Sequence, residues 1–192
     1  MNYQFRKEVQ VAQKAAIGEM YNLAKESLGV NDKLINFASG HPSTDVFQDK
    51  FLKKYMNFAL EDGAKELLQY GAHAGYMPLR HSFRRFVNEK GMTVKEDDDL
   101  MITYGSVEAI FLVTAAFVSR GDKVIVEVPS YVNAIKSFQL QGAEVVGVGM
   151  EEDGVNIEEL ERAMKEGAKL FYTVPNFGNP SGITMSAEKR RA

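Results

Sequence analysis

Residues Lys169–Gly182 read KLFYTVPNFGNPSG, and this stretch decides the fold class. It begins as an apolar run rich in aromatic and β-branched residues, which is typical of a buried strand. Pro175 ends the run because proline has no backbone N–H to give to a sheet ladder. The turn-forming residues Asn176–Gly182 predict a loop. In an open α/β sheet such loops hold the ligand, although an ordinary strand-to-helix turn explains these residues equally well.

Strand-like and helix-like segments alternate before this stretch. Helical periodicity separates apolar runs that predict strands near residues 100–104, 123–128, 144–148 and 169–174. Such alternation predicts an α/β fold with a mainly parallel sheet and right-handed crossovers.

The first half of the chain is dominated by helical periodicity. Apolar residues three to five positions apart predict a helix from Tyr3 to about Leu28, and a short strand-like run follows at 34–38. A further helix is expected over 79–88, and the acidic run 96–99 predicts a solvated turn.

Two helix starts carry capping signals. Asp45 is expected to cap a helix whose apolar face begins at Phe51. Asn156 is expected to cap a helix over Ile157–Lys165, with Glu159 three residues on as its capping-box partner.

Composition narrows the class of protein. The 192 residues are 45% hydrophobic and 26% charged, as in ordinary globular proteins, and the net charge of -3 argues against a general nucleic-acid binder. The absence of cysteine excludes a disulfide framework and a thiolate metal site, and we assign no metal ligand. No apolar run reaches the roughly 18 residues of a membrane span, and a cytoplasmic protein without a nucleic-acid or membrane partner is expected.

The segment Tyr104–Ala109, YGSVEA, predicts a junction between a strand and a helix. A helix N-terminus offers free backbone N–H groups and the positive end of the helix dipole, which suits a phosphate. Gly105 permits a sharp turn, and Ser106 adds a hydroxyl donor. The same residues also fit a plain junction in which the serine is only an N-cap.

Several segments, in order along the chain, resemble the class I/II aminotransferases, which are fold-type I pyridoxal-phosphate enzymes. They are Asn36–Pro42, Tyr70–Arg80, Gly105–Ala109, Glu127–Tyr131 and the Asn-Pro-x-Gly segment within Tyr172–Gly182. The similarity runs from about Leu34 to the last residue and is closest to the aminoadipate/kynurenine-type branch. That branch shares its core with the aminotransferase-like domain of MocR-type regulators.

The resemblance implies an architecture as well as a family. It implies the three-layer large domain of these enzymes, with helices on both faces of a mainly parallel sheet, in incomplete form. Residues 1–45 would be an N-terminal helical arm and small-domain segment. Residues 46–192 would be the N-terminal part of the cofactor-binding large domain.

The resemblance also implies pyridoxal 5'-phosphate as the cofactor and assigns residues to it. The backbone at Gly105, Ser106 and Val107 would hold the cofactor phosphate, although Val107 replaces the glutamine that is usual there. Tyr131 would stack on the pyridine ring, and a buried aromatic pair of this kind contributes about 0.5–1.5 kcal/mol beyond area burial. Asn179 would hydrogen-bond the phenolic oxygen of the cofactor and contribute to substrate binding.

Two further positions are implied by the same resemblance. Gly40 would bring backbone against the substrate carboxylate, although a glycine needed only for a turn explains it as well. Tyr70 would reach across a homodimer to the cofactor phosphate of the other subunit, although a packing tyrosine is the plainer interpretation. The family's Ser-x-Ile-Arg arm is replaced by Ala15–Gly18, which weakens any substrate contact from the arm.

No catalytic residue is assigned within the chain. In the resembled family the Schiff-base lysine, the aspartate at the pyridinium nitrogen and the carboxylate-binding arginine all follow the Asn-Pro-x-Gly segment, which places them beyond Ala192. Ser186 and Lys189 spell Ser-x-x-Lys, but we reject them as the Schiff-base site because Ser186 lies where a helix is expected to start. The chain alone is therefore predicted to be inactive.

Four functions fit the pattern to different degrees. The first is an aminotransferase that moves an amino group from an amino acid to a 2-oxo acid. The second is the cofactor-sensing domain of a MocR-type regulator. The third, a generic doubly wound nucleotide-binding domain, lacks the second and third glycines of Gly-x-Gly-x-x-Gly after Gly105. The fourth is a lyase or decarboxylase on the same fold.

Overall fold

The structure, a computed structural model, describes residues 4–11, 22–23, 26 and 44–192. The helices of the described residues are α1 (Lys7–Val11), α2 (Asp49–Leu67), α3 (Met77–Glu89), α4 (Gly105–Phe117), α5 (Val132–Leu140), α6 (Ile157–Lys165) and α7 (Ala187–Arg191), with a 3-10 turn at Thr44–Val46. The strands are β1 (Lys123–Val128), β2 (Glu144–Glu151), β3 (Gly154–Val155) and β4 (Leu170–Tyr172). The helix predicted over Tyr3–Leu28 is present at α1, and most of it lies outside the described residues, as do the run at 34–38 and Gly40.

The sheet has the strand order β3-β2-β1-β4. β1 pairs in parallel with β2, from Lys123 opposite Glu144 to Val128 opposite Gly149. On its other side β1 pairs in parallel with β4, and β3 is an antiparallel addition at the far edge of β2. The predicted mainly parallel α/β sheet is therefore confirmed.

β1 is the central strand and is buried on both faces. Its side chains alternate, so Ile125 packs with Val148, Val155 and α6, while Val124 and Val126 pack with Ala134 and Phe138 of α5. Val124 and Ile125 are fully buried. Helices thus cover both faces of the sheet, which confirms the three-layer arrangement.

The predicted strand at 100–104 is wrong. This segment has no ladder partner among the described residues, and its Ile102 backbone N–H donates instead to the carbonyl oxygen of Ala74 at 3.0 Å. Tyr104 is 94% exposed. An apolar, β-branched run becomes a strand only where a neighbour takes up its backbone groups, and the described sheet offers no such neighbour here.

The structure also corrects two details of the caps. Asn156 caps α6 as predicted, since its side-chain oxygen accepts from the Glu159 backbone N–H at 2.9 Å. Glu159 does not return the bond to Asn156; its carboxylate accepts instead from the backbone N–H of Gly149 at 2.7 Å. Asp45 lies within the 3-10 turn, and α2 begins at Asp49.

The chain divides into two compact units, one built from residues before 39 together with 105–192 and one from 39–104. The first contains the sheet, α1 and α4–α7, and the second contains α2 and α3. Within the second unit, Arg84 of α3 donates to the backbone oxygens of Glu96 and Asp98, which fixes the exposed acidic turn. In the described part of the chain, no helix is both long and apolar enough to cross a membrane.

Candidate functional site

Two neighbouring strands lead to the residues that the sequence singles out. Tyr131 follows the carboxyl end of β1, and the loop that contains Asn179 follows β4. β1 and β4 are parallel and directly paired, from Val124 opposite Leu170 to Val126 opposite Tyr172. Because parallel neighbours end at the same edge, Tyr131 and the Asn179 loop leave the sheet side by side.

The N-terminus of α4 lies toward the same edge. Just past the ends of α4 and α5, the Gly121 backbone N–H donates to the carbonyl oxygen of Gly142 at 2.9 Å. Near the end of α5, the Gln141 side chain also donates to the Phe111 carbonyl of α4 at 2.9 Å. Ile110 of α4 also packs against the cluster that contains Ala134 and Phe138 of α5, so the two helices lie side by side with their C-terminal ends together and run in the same general direction. Since α5 begins at the carboxyl end of β1, the start of α4 faces that end as well.

Gly105 opens α4 with a backbone conformation that favours glycine. Its φ is 79°, in the left-handed region, and a Cβ built on it would meet nothing within 4 Å. The glycine is therefore required by the backbone turn rather than by crowding. Gly105, Ser106 and Val107 are exposed, as a phosphate-binding helix end has to be.

Tyr131 is held as a half-buried ring at the start of α5. Its ring packs beside the cluster formed by Val124, Val126, Ala134 and Phe138. Its hydroxyl oxygen accepts a hydrogen bond from the Asn133 side chain at 3.0 Å. These contacts leave a ring of fixed orientation at the edge of the sheet.

The Asn179 loop is closed on itself by hydrogen bonds. The Met185 backbone N–H donates to the Pro175 carbonyl at 2.8 Å, and the Gly178 N–H donates to the Ile183 carbonyl at 2.8 Å. Asn179 is exposed at the tip, and its peptide bond to Pro180 is cis. The loop therefore presents its asparagine from a braced turn.

Arg190 of α7 joins the two ends of this loop, and sequence reasoning missed it. Its guanidinium donates to the Pro175 carbonyl at 2.8 Å, to the Asn176 side-chain oxygen at 2.6 Å and to the Met185 carbonyl at 2.9 Å. Only the forked geometry of arginine spans three such acceptors. The basic run Lys189–Arg191 does not indicate, from sequence alone, which of its side chains would bond to the loop.

Glu127 is the second group that sequence reasoning missed. It is 4% exposed, and its carboxylate accepts from the Thr173 hydroxyl at 2.6 Å and from the Val174 backbone N–H at 3.3 Å. A usable signal was present, because Glu127 is an acid inside the otherwise apolar end of the strand KVIVEV. Burial raises the pKa of the adjacent Tyr172, and Tyr131 and Glu127 add to that effect, so this phenol stays neutral at physiological pH.

Lys189 lies at the start of α7 and contacts two carboxylates. The Ser186 hydroxyl caps α7 by accepting from the Lys189 backbone N–H at 3.3 Å. The Lys189 ammonium lies 2.8 Å from Asp153 and 2.5 Å from Glu151, and these hydrogen bonds raise its pKa, that to Asp153 most. A lysine held protonated is a poor nucleophile, which agrees with rejecting it as a Schiff-base site.

Tyr70 lies in the other unit and is fully exposed. Its side chain therefore does not pack as a core tyrosine against the described residues. Its contact with another subunit stays a prediction, as does a common ligand for Gly105, Tyr131 and Asn179. In the described parts of the chain, no cluster of three or more acidic or histidine side chains could hold a metal ion.

Residues 32–192 match the model of the family "Aminotransferase class I and II". The aromatic-amino-acid aminotransferase 1 of Thermococcus litoralis is 32% identical over 164 residues, which are 82% of this chain and 39% of that protein. The 2-aminoadipate transaminase of Thermus thermophilus is 31% identical over 82% of this chain and 39% of that protein. A HTH-type transcriptional regulator of Bacillus subtilis, YdfD, is 29% identical over 83% of this chain and 33% of its own length.

Solved structures agree with the sequence comparison. The kynurenine aminotransferase of Pyrococcus horikoshii, crystallised with PMP, superposes with a TM-score of 0.85 at 30% identity, over 97% of this chain and 46% of that one. The chain thus spans less than half the length of the relatives it matches. From the family match and the shared fold, we conclude that this chain belongs to the class I and II aminotransferases and has the fold-type I architecture.

Proposed function

We propose that the full-length protein containing this chain is a pyridoxal-phosphate-dependent aminotransferase, a cytoplasmic homodimer that moves an amino group from an amino acid to a 2-oxo acid. The observation that carries the proposal is the pairing of β1 with β4, because it sends Tyr131 and the Asn179 loop out of one sheet edge. Ligands of open parallel sheets bind at that edge.

The residues at this edge fit the chemistry of the cofactor. Backbone N–H groups at the start of α4 and the Ser106 hydroxyl are donors for a phosphate. Ser130 adds a hydroxyl that is buried and finds no hydrogen-bond partner among the described residues. Tyr131 supplies a flat ring with a fixed orientation, and Asn179 supplies an exposed amide. The bound cofactor supplies the electron sink that amino transfer requires.

Each residue then has a defined task. Tyr131 packs against the ring of the cofactor and keeps water from that face. The Asn179 amide donates to the phenolic oxygen and so supports its negative charge. Gly40 lets backbone approach the substrate carboxylate. Tyr70, exposed on its own unit, donates its hydroxyl to the phosphate bound by the partner subunit.

Activity requires groups that this chain does not supply. The Schiff-base lysine of the family lies after the Asn-Pro-x-Gly segment, and Lys189 is held by Asp153 and Glu151. The exposed apolar side chains Phe111, Val113 and Phe117 of α4 also suit a helix that further strands and helices cover. We expect residues 1–192 alone to show no transaminase activity.

The test is cofactor binding and turnover by the full-length protein with two variants of Tyr131. Tyr131→Ala removes the ring. Loss of about 0.5–1.5 kcal/mol of stacking weakens cofactor binding by about 2- to 13-fold, and the loss of buried apolar area weakens it further. Tyr131→Phe keeps the ring and loses only the bond from Asn133, so it should bind within about 2-fold of wild type. Equal affinity of the alanine variant and wild type would contradict the assignment of Tyr131.

Turnover decides the reaction. Wild type should convert an amino acid and a 2-oxo acid into the exchanged pair, and release of ammonia or carbon dioxide instead would place the protein with the lyases or decarboxylases. Tyr70→Phe should lower cofactor retention in the dimer, whereas a fully active monomer would show that no partner tyrosine is needed.

A second candidate is the sensor domain of a MocR-type regulator, which the similarity to the Bacillus subtilis regulator favours. Such a protein would bind the cofactor without multiple turnovers and would carry a DNA-binding segment elsewhere in its sequence. Sequencing of the complete gene and gel-shift assays with its upstream DNA distinguish this candidate from the enzyme.

A further inference from the structure

Backbone pairing between β1 and β4 stops at Tyr172, the last residue of β4, whereas β1 continues to Val128. The ladder runs through Val124, Ile125 and Val126 of β1, which lie opposite Leu170 to Tyr172. The next position in this register places Glu127 opposite Thr173. From there the two strands lead away, one to Tyr131 and the other to the Asn179 loop.

Beyond the last ladder pair, the Glu127 side chain makes the hydrogen bonds to the segment that follows β4. One carboxylate oxygen accepts from the Thr173 hydroxyl at 2.6 Å, and the other accepts from the Val174 backbone N–H at 3.3 Å. Among the described residues Glu127 has no ion-pair partner, and it is only 4% exposed. The carboxylate is thus a buried brace between β1 and the segment Thr173–Val174 just after β4, held by two neutral donors.

Stability alone does not account for this brace. A buried carboxylate without a cation is costly to desolvate, and an apolar side chain of similar size would fill the same space without that penalty. What the carboxylate adds is geometry, because its two oxygens fix both a side chain and a backbone N–H of the segment that follows β4.

The brace also lies within a few residues, along the chain, of both proposed cofactor contacts. Tyr131 follows Glu127 by four residues, and Asn179 follows Val174 by five. A shift of Val174 moves the start of the Asn179 loop, whose first carbonyl, at Pro175, is tied to Met185 and Arg190.

We propose that Glu127 is a positioning residue, which sets the place of Asn179 relative to the Tyr131 ring through its bonds to Thr173 and Val174. The role toward the cofactor rests on the proposed function, whereas the brace itself does not.

The first experiment needs no cofactor. Hydrogen exchange is measured by mass spectrometry on the full-length protein, as wild type, Glu127→Gln and Thr173→Val. The glutamine keeps one acceptor oxygen and turns an amide NH₂ toward a donor, and the valine removes the hydroxyl at nearly constant volume. Amides of 176–185 should exchange at least about 3-fold faster in both variants. The reason is that loss of one hydrogen bond shifts the equilibrium of local opening by a factor of roughly 2–13. Peptides from α6 should be unchanged, and Thr173→Ser, which keeps the hydroxyl, should match wild type.

Unchanged exchange over 176–185 in both variants would overturn the brace. Faster exchange in every peptide would overturn it as well, because that result means a general loss of stability. Should Glu127→Gln fail to fold, the comparison of Thr173→Val with Thr173→Ser decides the matter.

The second experiment asks whether the brace acts through Asn179. A hydrogen bond to the phenolic oxygen is strongest when that oxygen is fully charged, so its loss should raise the pH midpoint of the bound cofactor's visible absorbance. Asn179→Ala should raise that midpoint. Glu127→Gln should raise it too, by up to about 1 pH unit, which is the equivalent of one hydrogen bond. In the Asn179→Ala background, Glu127→Gln should add no further shift.

The outcomes separate the two proposals. An additive shift in the double variant, or no shift in Glu127→Gln, would refute a role through Asn179. A wild-type protein that binds no cofactor would refute the proposed function, while the exchange experiment would still decide the brace.

Discussion

Gly105 and Gly121 allow the two ends of α4 to be compared directly. Both have a positive φ, 79° and 86°, and a Cβ on either would meet nothing within 4 Å. Substitution by alanine therefore adds no clash at either site, and its cost is confined to the left-handed backbone, about 1–2 kcal/mol in each case. Only Gly105 lies at the helix end proposed to bind phosphate.

The two substitutions should therefore have similar effects on stability and different effects on binding. In Gly105→Ala the strain is relieved by moving the first N–H groups of α4. Loss of one hydrogen bond to a charged phosphate, about 1.5–3 kcal/mol, weakens cofactor binding by about 10- to 150-fold. Gly121→Ala leaves those N–H groups in place and should bind the cofactor within about 2-fold of wild type.

Two measurements on the full-length protein test this reasoning. Urea unfolding without cofactor should show a similar loss of stability in both variants. Equilibrium titration with pyridoxal 5'-phosphate should show weaker binding only in Gly105→Ala. Equal weakening in the two variants would show that binding reports stability alone. Unweakened binding in Gly105→Ala would remove α4 from the phosphate site.

Three further predictions follow from contacts in the same unit. Arg190→Lys keeps one charge but cannot span Pro175, Asn176 and Met185, so amides of 176–185 should exchange faster by mass spectrometry while those of α5 do not change. Asn156→Ala removes the α6 cap and should lower the free energy of unfolding by about 0.5–2 kcal/mol in urea, while Asn156→Asp keeps an acceptor and should lower it less. The hydrogen bond from Lys189 lowers the pKa of Asp153, so its contribution is present above the usual carboxyl range and is lost as the pH falls through the lowered value. Unfolding midpoints should therefore fall less between pH 7 and pH 3 in Lys189→Met than in wild type, whereas Lys165→Met, which removes an exposed pair with Glu161, should follow wild type.

The sequence by itself determined the elements whose signals are local. The run KVIVEV is apolar enough to be buried on both faces, and the structure buries it on both. Asn156 precedes an amphipathic helix, and its cap needs only a backbone N–H three residues away. Pro175 and the turn formers after it mark the loop correctly, although β4 itself ends at Tyr172, two residues short of the predicted end at 174. The family motifs are equally local, since each lies within about a dozen consecutive residues.

Only the tertiary structure decided which distant groups meet. Residues 100–104 have the composition of a strand, but a ladder needs a partner, and none of the described strands provides one. Glu159 had a local partner available and bonded instead to Gly149, which the β2–β3 turn brings beside it. Glu127 and Thr173 are 46 positions apart, and their bond exists because the crossover through β2 and α6 returns the chain to the free side of β1. No pattern within one element could report that bond, since it depends on the order of strands in the sheet.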